Sequence, residues 1–376
     1  MQQDGLLHNN LWIKALPSLY DKTQAAHWLS RIKFPGSWSA DNVASFEPTL
    51  DNLCLLQRLH LVAFAFENTA MHYTSHHSMD ISLPALYQRL VVEGKGSYCF
   101  GMNTLFLQMI RALGYRAYSG SGRINTASAD SPPNFLAFVH EVLFVQPIQN
   151  SNITYVVDAS GGGSCVTRPI LLKNAARVMG ATPSEWHTLV KTGRTESSLE
   201  TSPNSTEPAG VEWRLIVSHV SEGSLSSSRI LYSFIEDEFF PMDYECSNIG
   251  IYTGAWAAKE PFFTENVVCA RCFWLSDEEM EAELAMNNVP ENVSQSDVDS
   301  AGGIPQWDYT LNSRHLGRLG LHKNELKRHI GTRTETVKVF HTEPERIAIL
   351  REFFGIDISS GELEHIRGRR PALDLP

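Results

Sequence analysis

The apolar positions divide the chain into a helical first part and a β-rich second part. Apolar residues recur with helical spacing through 50-LDNLCLLQRLHLVAFAFEN-68 and through 81-ISLPALYQRLV-91, which follows a possible cap at Asp80. From Met102 they recur at steps of three and four residues until Gly114 ends the pattern. We therefore predict a helical first domain whose last helix stops at Gly114.

Beyond this helix the apolar period changes to two, which is typical of strands. Near the end of the chain, Thr342, Pro344 and Glu345 form a helix start signal and Gly355 forms a stop signal. We therefore predict a β domain after the helical one and a closing helix. The predicted strands are 135–145, 153–159, 211–220, 229–240 and 266–275.

Composition narrows the class of protein. A net charge of -11 over 376 residues argues against nucleic acid or an anionic membrane as a partner. The longest apolar run, 61-LVAFAF-66, is far shorter than the about 20 residues of a membrane helix, and no signal peptide is visible, so we expect a cytoplasmic protein. Six cysteines are too few for a disulfide scaffold, so we expect reduced thiols. We also expect a monomer or a weak homo-oligomer, with exposed or disordered insertions at 191–210 and 291–305.

One cysteine stands where a thiolate is stabilised. In 94-GKGSYCFGMNTLFLQMIRALGY-115, Gly94 and Gly96 break the chain and Ser97 can cap the following helix, so Cys99 falls in its first turn. The unpaired amides and the macrodipole at this end stabilise an anion and lower the pKa of a thiol. Cys99 is therefore a candidate nucleophile; the alternative is a small buried apolar residue.

A candidate base and its partner lie on two predicted strands. Even-numbered positions of 135–145 share one face, which places His140 beside Phe138 and other apolar side chains. A hairpin centred on Gln149 would put Asp158 directly opposite His140 on that face. A carboxylate in this position fixes the histidine tautomer and supports the imidazolium. The alternative is a core histidine satisfied by a backbone carbonyl.

Together, Cys99, His140 and Asp158 make a Cys-His-Asp constellation, the general pattern for covalent acyl transfer through a thioester. Spacing alone does not bring Cys99 against the hairpin.

These residues resemble the arylamine N-acetyltransferases, and the similarity runs over nearly the whole chain. The family motif Arg-Gly-Gly-aromatic-Cys-Phe-Glu-x-Asn is matched by 95-KGSYCFGMN-103. The family's catalytic histidine strand, and its aspartate before a glycine-rich loop, are matched by His140 and 158-DASGGGSCVTRP-169. Upstream, 28-WLSRI-32, 48-PTLDNL-53 and 64-FAFEN-68 are similar to the family's helical domain, and the insertions and C-terminal segment are similar to fungal members.

The resemblance implies an α+β fold with a cysteine-protease-like Cys-His-Asp core. Its expected domains are a helical bundle over residues 1–114, an antiparallel β-barrel over 115–240, and an interdomain segment with an α/β lid over 241–376. It also implies that an acetyl or other short acyl group passes from acetyl-CoA, or another acyl-CoA, to Cys99. The acceptor would be an arylamine, hydrazine or N-hydroxyarylamine, as in xenobiotic detoxification.

The resemblance also implies roles for individual residues. Cys99, His140 and Asp158 are the expected catalytic residues, and no metal is expected. The expected CoA contacts are Gly161, Gly162 and Gly163, and the expected substrate-pocket residues are Phe66, Phe100 and Phe138. Departures from the family pattern occur at Lys95 and Ser97 (usually Arg and Gly), Gly101 (Glu), Ala65 (Pro) and 159-ASG-161 (Val-Gly-Phe).

Two further groups have simpler structural interpretations. Cys269 and Cys272 form a C-x-x-C, but residues three apart on a strand face opposite sides and no second pair exists at zinc spacing. His72, His76 and Asp80 have helical spacing, yet an exposed polar connector explains them.

Three functions remain open. The first is an acyl-CoA-dependent N-acyltransferase, and the second is a cysteine hydrolase or transglutaminase-like enzyme with the same triad. The third is a non-catalytic relative that acts as a binding protein, which the missing Glu at Gly101 and the altered loop favour.

Overall fold

A computed structural model describes residues 4–194, 196–202, 210–221, 224–255, 261–287 and 312–374. Its first part is helical, and the remainder is built on two sheets. The helices are α1 Lys22–Arg31, α2 Leu50–Ala63, α3 Thr69–Tyr73, α4 Leu83–Leu86, α5 Cys99–Ala112, α6 Pro241–Tyr252, α7 Phe262–Glu265, α8 Asp277–Asn287, α9 Glu343–Phe354 and α10 Ser360–Leu363. The strands are β1 Phe66–Glu67, β2 Arg116–Asn125, β3 Phe135–Gln146, β4 Tyr155–Val157, β5 Ile170–Leu171, β6 Arg177–Met179, β7 Glu185–Gly193, β8 Val211–Ser221, β9 Ser224–Phe234, β10 Val268–Trp274, β11 Leu316–His322, β12 Glu325–Ile330 and β13 Arg333–Val339.

The helices before β2 pack around one apolar core. Trp28 of α1, Leu53 of α2 and Phe106 of α5 are completely buried in it. One face of β3 closes the same core, since Leu143 and Val145 belong to it. The helix that carries Cys99 is therefore held on one side by helices and on the other by a sheet.

An eight-stranded antiparallel sheet forms the middle of the molecule, in the order β5-β4-β3-β2-β9-β8-β7-β6. Its end strands β5 and β6 contact each other, so the sheet is nearly closed into a barrel. Apolar side chains from both halves fill it, among them Val142, Phe144, Leu189, Leu215 and Phe234.

The second sheet has five antiparallel strands in the order β1-β10-β11-β12-β13. Helix α9 covers it, with Ile349, Leu350 and Phe354 buried against the sheet. The predicted signals of this helix are confirmed: the Thr342 side chain accepts from the amide of Glu345, and Gly355 ends the helix in a left-handed conformation. The predicted fold class of helical bundle, antiparallel barrel and C-terminal α/β lid is thus confirmed.

The predicted domain boundaries stay a prediction. Strand β1 lies in the helical part of the chain but pairs with β10 of the lid. This pairing also corrects the first helix prediction: the helix that begins at residue 50 ends at Ala63, and Phe66 and Glu67 are extended. Local apolar spacing continues through these residues, so only the tertiary pairing separates them from the helix.

The helix predicted over 81–91 also differs. It begins at Leu83 and continues as a π-helix over Tyr87–Val92. Asp80 does not cap it; the carboxylate accepts the Ser82 amide at 2.9 Å in the turn before the helix.

Two strand predictions were too long. The strand expected over 153–159 is limited to β4, and the strand expected over 229–240 ends at Phe234. The later part of the second stretch turns away, and the Phe239 amide donates to the Ser119 carbonyl at 2.9 Å.

Most of the two predicted insertions cannot be compared with the structure. Residues 195, 203–209 and 291–305 lie outside the described residues. Lys191, Thr192 and Gly193 belong to β7, whereas most residues from 194 to 202 are exposed, as expected. In the described ranges, the helices are too short or too polar to cross a membrane.

Candidate active site

Cys99 is the first residue of α5, and backbone pairing with β1 fixes the loop before it. The Ser97 amide donates to the Ala65 carbonyl at 3.2 Å, and the Glu67 amide donates to the Ser97 carbonyl at 3.1 Å. The expected cap at Ser97 is wrong, because Tyr98 takes the N-cap position. Among the described residues the Ser97 hydroxyl has no hydrogen-bond partner. Cys99 itself is 6% exposed at the positive end of the helix.

Arg89 connects the loop before Cys99 to β1 and α3. Its Nε donates to the Gly96 carbonyl at 2.7 Å, and its Nη2 lies 2.6 Å from Glu67 Oε1 and 2.9 Å from the Thr69 hydroxyl. Glu67 is fully buried, so Arg89 supplies the positive charge that a buried carboxylate requires.

A β-bulge lies in β3 next to the site. Gly122 pairs with His140, but Arg123, the next residue, pairs with Phe138, so Val139 is the extra residue of the bulge. The expectation that Phe138 and His140 share a face is therefore wrong, because the bulge turns them to opposite faces. The Val139 carbonyl instead accepts from the Cys99 thiol, with Sγ and O 3.6 Å apart.

Asp158 reaches His140 through a register that differs from the predicted one. Leu143 pairs with Val157, which shifts the hairpin by two residues, and Asp158 lies just beyond the end of β4, diagonal to His140. An even shift keeps each side chain on its face, so the two residues still meet. Asp158 Oδ2 lies 2.8 Å from His140 Nε2.

Three further groups hold the Asp158 carboxylate. Oδ1 accepts from Asn103 Nδ2 and from the Ser160 amide, both at 3.0 Å, and Oδ2 accepts from the Tyr232 hydroxyl at 3.1 Å. Asn103 also accepts the Ala159 amide at 2.8 Å. The carboxylate is therefore fixed by α5, β9 and the loop that follows β4.

Sequence reasoning gave Asn103 and Tyr232 no role. Asn103 is four residues after Cys99 on α5, so helical spacing was an available signal. Tyr232 reaches the site only because β9 pairs with β2, and no local pattern indicates that pairing.

Burial and charge act in opposite directions on the buried His140–Asp158 pair. Burial disfavours a charged imidazole, but the Asp158 carboxylate outweighs this effect and raises the pKa of His140 to about 10. Burial alone would raise the pKa of the Asp158 carboxyl, but the charge of His140 and the hydrogen bonds from Ser160 and Asn103 hold it well below its usual range. At neutral pH the pair is therefore an imidazolium and a carboxylate.

Cys99 is the third residue of the candidate site, beside the His140–Asp158 pair. Its side chain contributes to the raised pKa of His140, although the hydrogen bond of the thiol goes to the Val139 carbonyl. Because Asp158 occupies Nε2, the nitrogen left for the thiol is Nδ1. The structure thus places the Cys99 thiol, at the N-terminus of α5, near the His140–Asp158 ion pair.

The three phenylalanines expected in the substrate pocket differ in exposure. Phe100 is fully buried, and its ring packs against Tyr98 with centroids 6.0 Å apart. Phe66 and Phe138 are half-buried. The Phe138 ring lies 5.3 Å from that of Phe239. Their role in substrate binding stays a prediction, and the full burial of Phe100 leaves it no surface for a ligand.

The glycine-rich loop follows Asp158. Gly161 is buried and has a φ of +72°, and a Cβ at this position would lie 3.5 Å from the Leu61 side chain and 3.8 Å from that of Phe66. At Gly162 and Gly163 a Cβ would meet no atom within 4 Å, so a ligand can approach the backbone there. Their contact with CoA stays a prediction.

Packing and hydrogen bonds to other parts of the fold surround Cys269, Cys272 and His72. Cys269 and Cys272 are buried in different apolar clusters, as their positions on a strand require. The exposed connector expected for His72, His76 and Asp80 is wrong at His72, which is fully buried on α3, whereas His76 and Asp80 are exposed. His72 Nε2 contacts Asn68 at 3.1 Å and the Phe263 carbonyl at 2.9 Å. In the part of the chain that the structure describes, no group of three or more His, Cys, Asp or Glu residues is arranged to hold a metal ion.

Comparison with known proteins defines the class. Residues 49–277 match the sequence model of the N-acetyltransferase family. Since the match covers more than half of the chain, the protein belongs to that family, which includes the arylamine N-acetyltransferases that its motifs resemble. It is an acyltransferase of this type.

The similarity to individual family members is distant. The N-malonyltransferase FDB2 of Gibberella moniliformis is 24% identical over 359 residues, which cover 91% of each chain. The arylamine N-acetyltransferase of Escherichia coli is 26% identical over 167 residues, or 44% of this chain and 53% of that protein.

Solved structures share the fold. The arylamine N-acetyltransferase of Mycobacterium marinum superposes with a TM-score of 0.63 at 21% identity, covering 92% of this chain and 98% of the other. The structure of the same enzyme in complex with CoA gives a TM-score of 0.60 at 21% identity, covering 92% and 97%.

Proposed function

We propose that this protein transfers a short acyl group from acyl-CoA to an arylamine, hydrazine or N-hydroxyarylamine through a thioester on Cys99. The observation that carries the proposal is the row of Cys99, His140 and Asp158, with the thiol at a helix N-terminus and the carboxylate 2.8 Å from the ring. Membership of the N-acetyltransferase family supports the use of acyl-CoA.

In the first half-reaction the Cys99 thiolate attacks the carbonyl carbon of the acyl-CoA thioester. A bond forms between Sγ and this carbon, and the bond from the carbon to the CoA sulfur breaks. The departing CoA sulfur takes the proton of the His140 imidazolium. Asp158 keeps the ring oriented through this step.

In the second half-reaction the acceptor nitrogen attacks the acyl carbon on Cys99. The nitrogen loses a proton to His140, and the bond to Sγ breaks. Cys99 returns to the thiolate and His140 to the imidazolium, so the cycle closes without a further reagent.

The identity of the acyl group is the finer part of the proposal. A relative that aligns over 91% of both chains is an N-malonyltransferase, which supports malonyl-CoA as a donor beside acetyl-CoA. Both donors use the same thioester chemistry, so they differ only in the fit of the acyl group.

Intact-mass analysis tests the proposal. The protein is incubated with acetyl-CoA or malonyl-CoA alone, and we expect one acyl adduct, mapped to the peptide that contains Cys99. The adduct should be absent from Cys99→Ala and should be discharged by an aromatic amine. Cys246→Ala is the matched control, because Cys246 is an exposed thiol on α6 and should not affect loading.

Two outcomes contradict the transferase. If neither donor loads Cys99 but iodoacetamide alkylates it rapidly, the cysteine hydrolase or transglutaminase-like function replaces it. If neither the donors nor iodoacetamide react, the protein is a non-catalytic family relative.

A further inference from the structure

A cavity of about 620 Å³ lies between helix α5, the N-terminal segment and the beginning of α6. Its volume falls within the about 300–1,000 Å³ of cavities that hold small molecules. Of the described residues that line it, none belongs to the Cys99–His140–Asp158 site. Exposed apolar groups that gather around one cavity are typical of a binding site. Four large apolar side chains of this cavity are exposed: Leu16, Leu19, Phe240 and Met242.

Glu141 is the most deeply buried acidic residue of this cavity. It follows His140 on β3, and successive residues on a strand point to opposite faces, so its side chain faces α5 rather than the interior of the barrel. It is 1% exposed, and the Thr104 hydroxyl of α5 donates to Oε2 at 2.9 Å. Oε1 has no hydrogen-bond partner among the described residues and is not sealed from solvent. One carboxylate oxygen is therefore free to bind a ligand.

The cavity does not supply a cation for this carboxylate. Among the described residues that line it, Arg111 is the one basic residue, and its Nε and Nη2 both donate to the Ala117 carbonyl, at 3.0 and 2.8 Å. Burial raises the pKa of the Glu141 carboxyl well above its ordinary value, and the lowering effects of Thr104, His140 and Arg111 do not cancel this effect. The carboxylate form therefore lacks a paired cation, which a ligand can provide.

Further acidic residues line the same cavity. Glu238 and Glu245 are two of them, and neither forms an ion pair within the part of the chain that the structure describes. Asp80 is a third, and its Oδ1 accepts the Ser82 amide at 2.9 Å. Among the described lining residues, four acidic side chains thus stand against one basic side chain, so the cavity attracts a positively charged ligand.

We propose that this cavity binds an amphipathic alkylamine, whose ammonium group donates to Oε1 of Glu141 and whose apolar part packs against Leu19 and Met242. An alkylammonium group is positively charged at neutral pH, as the lysine side chain is. The apolar walls exclude water from the ion pair and so strengthen it. The nitrogen of an arylamine acceptor is not protonated at neutral pH, so this site is separate from the acyl transfer of the proposed function.

Isothermal titration with 4-phenylbutylamine, without acyl-CoA, tests the site. We expect one saturable site on the wild type and at least about tenfold weaker binding of 4-phenylbutan-1-ol, which has the same apolar part and no charge. Glu141→Gln keeps the size of the side chain and an acceptor for Thr104 but removes the charge. It should weaken binding of the amine by at least about tenfold and leave that of the alcohol unchanged.

A second pair of variants keeps the test decisive if Glu141→Gln does not fold. Leu19→Lys places a cation at the cavity and removes an apolar contact, so it should also weaken binding of the amine by at least about tenfold. Leu199→Lys is the matched control, because the two leucines are 71% and 69% exposed and Leu199 does not line the cavity. It should bind the amine as the wild type does.

The proposal is overturned if the amine does not bind saturably, if the alcohol binds as tightly as the amine, or if folded Glu141→Gln keeps the affinity of the wild type. It is also overturned if Leu19→Lys binds the amine as the wild type does, because the amine then occupies another site, such as an acceptor pocket beside Cys99. Equal losses in Leu19→Lys and Leu199→Lys would contradict it as well, since added surface charge rather than the cavity would then control binding.

Discussion

The Ser97 hydroxyl occupies the space that a Cβ at residue 101 would need. Both positions depart from the family motif, which has Gly where Ser97 stands and Glu where Gly101 stands. The two departures are therefore linked: with Ser at position 97, the first turn of α5 accommodates only Gly at position 101. The Leu86 side chain would also lie only 2.7 Å from this Cβ.

We expect Gly101→Ala to destabilise the protein by about 1–3 kcal/mol, because the added methyl group overlaps Ser97. Ser97→Gly in the same chain should recover at least half of this loss. Urea unfolding of the two single variants and the double variant gives the coupling energy. Gly163→Ala, at a position with open space around it, is the control. Additive effects of the two changes would contradict the steric link.

Arg89 gives the second prediction. Arg89→Met leaves the fully buried Glu67 without its partner, so we expect a loss of about 3–5 kcal/mol in unfolding free energy. Lys95→Met is the matched control. Its ammonium group lies 3.6 Å from Glu93 and 3.7 Å from Glu362, both partly exposed, so the loss should stay below about 1 kcal/mol.

The comparison of Arg89→Met with Lys95→Met also identifies which cation holds the loop before Cys99 in place. The family motif has Arg at the position of Lys95, whereas the guanidinium that bonds the Gly96 carbonyl here comes from Arg89. A larger effect of Lys95→Met than of Arg89→Met would overturn this assignment.

The His140–Asp158 pair predicts a pH-dependent contribution to stability. The raised pKa of His140, about 10 against an ordinary 6.5, stabilises the fold fully below about pH 6.5, and this contribution is lost as the pH rises toward 10. The lowered pKa of Asp158 stabilises the fold above about pH 4, and this contribution is lost as the pH falls further. The unfolding free energy of the wild type should therefore exceed that of Asp158→Asn by the largest amount between about pH 4 and 6.5.

Chemical unfolding of both proteins at about pH 5, 7 and 9 measures this difference. We expect the difference in unfolding free energy between the wild type and Asp158→Asn to decrease from about pH 5 to about pH 9. An advantage that grows over this range would show that the pair is not an imidazolium and a carboxylate in the folded state.

The sequence indicated the elements of this site better than their relative positions. Local apolar spacing predicted the helix of Cys99 and the strand of His140, because these patterns depend on which face each element buries. The bulge at Val139 and the two-residue shift that places Asp158 diagonal to His140 depend on how β3 meets its neighbours. Neither feature has a local signal.

The same limit applies to the groups that reach the site from a distance. Tyr232 bonds Asp158 across 74 residues of chain, and Arg58 of α2 donates to the carbonyl of Arg314 across 256 residues. Pairing of this kind is decided by the packing of the barrel and lid, so periodicity does not predict it. The His140–Asp158 contact was predicted correctly as a pair because an even register shift preserves the face.

The last prediction concerns the chemistry of Cys99, His140 and Asp158. Asp158→Asn keeps the shape of the carboxylate but removes the charge that supports the imidazolium, so we expect acyl transfer to fall by at least about a hundredfold. Alkylation of Cys99 by iodoacetamide at about pH 6 should slow as well, because the thiolate loses its protonated partner. Tyr232→Phe, which removes only the 3.1 Å bond to Oδ2, should stay within about tenfold of the wild type in both assays. Stopped-flow acylation and alkylation rates across pH measure the two effects separately. If Asp158→Asn slows acylation but leaves the alkylation profile unchanged, Asp158 orients the ring without supporting the ion pair; if neither changes, the residue is only structural.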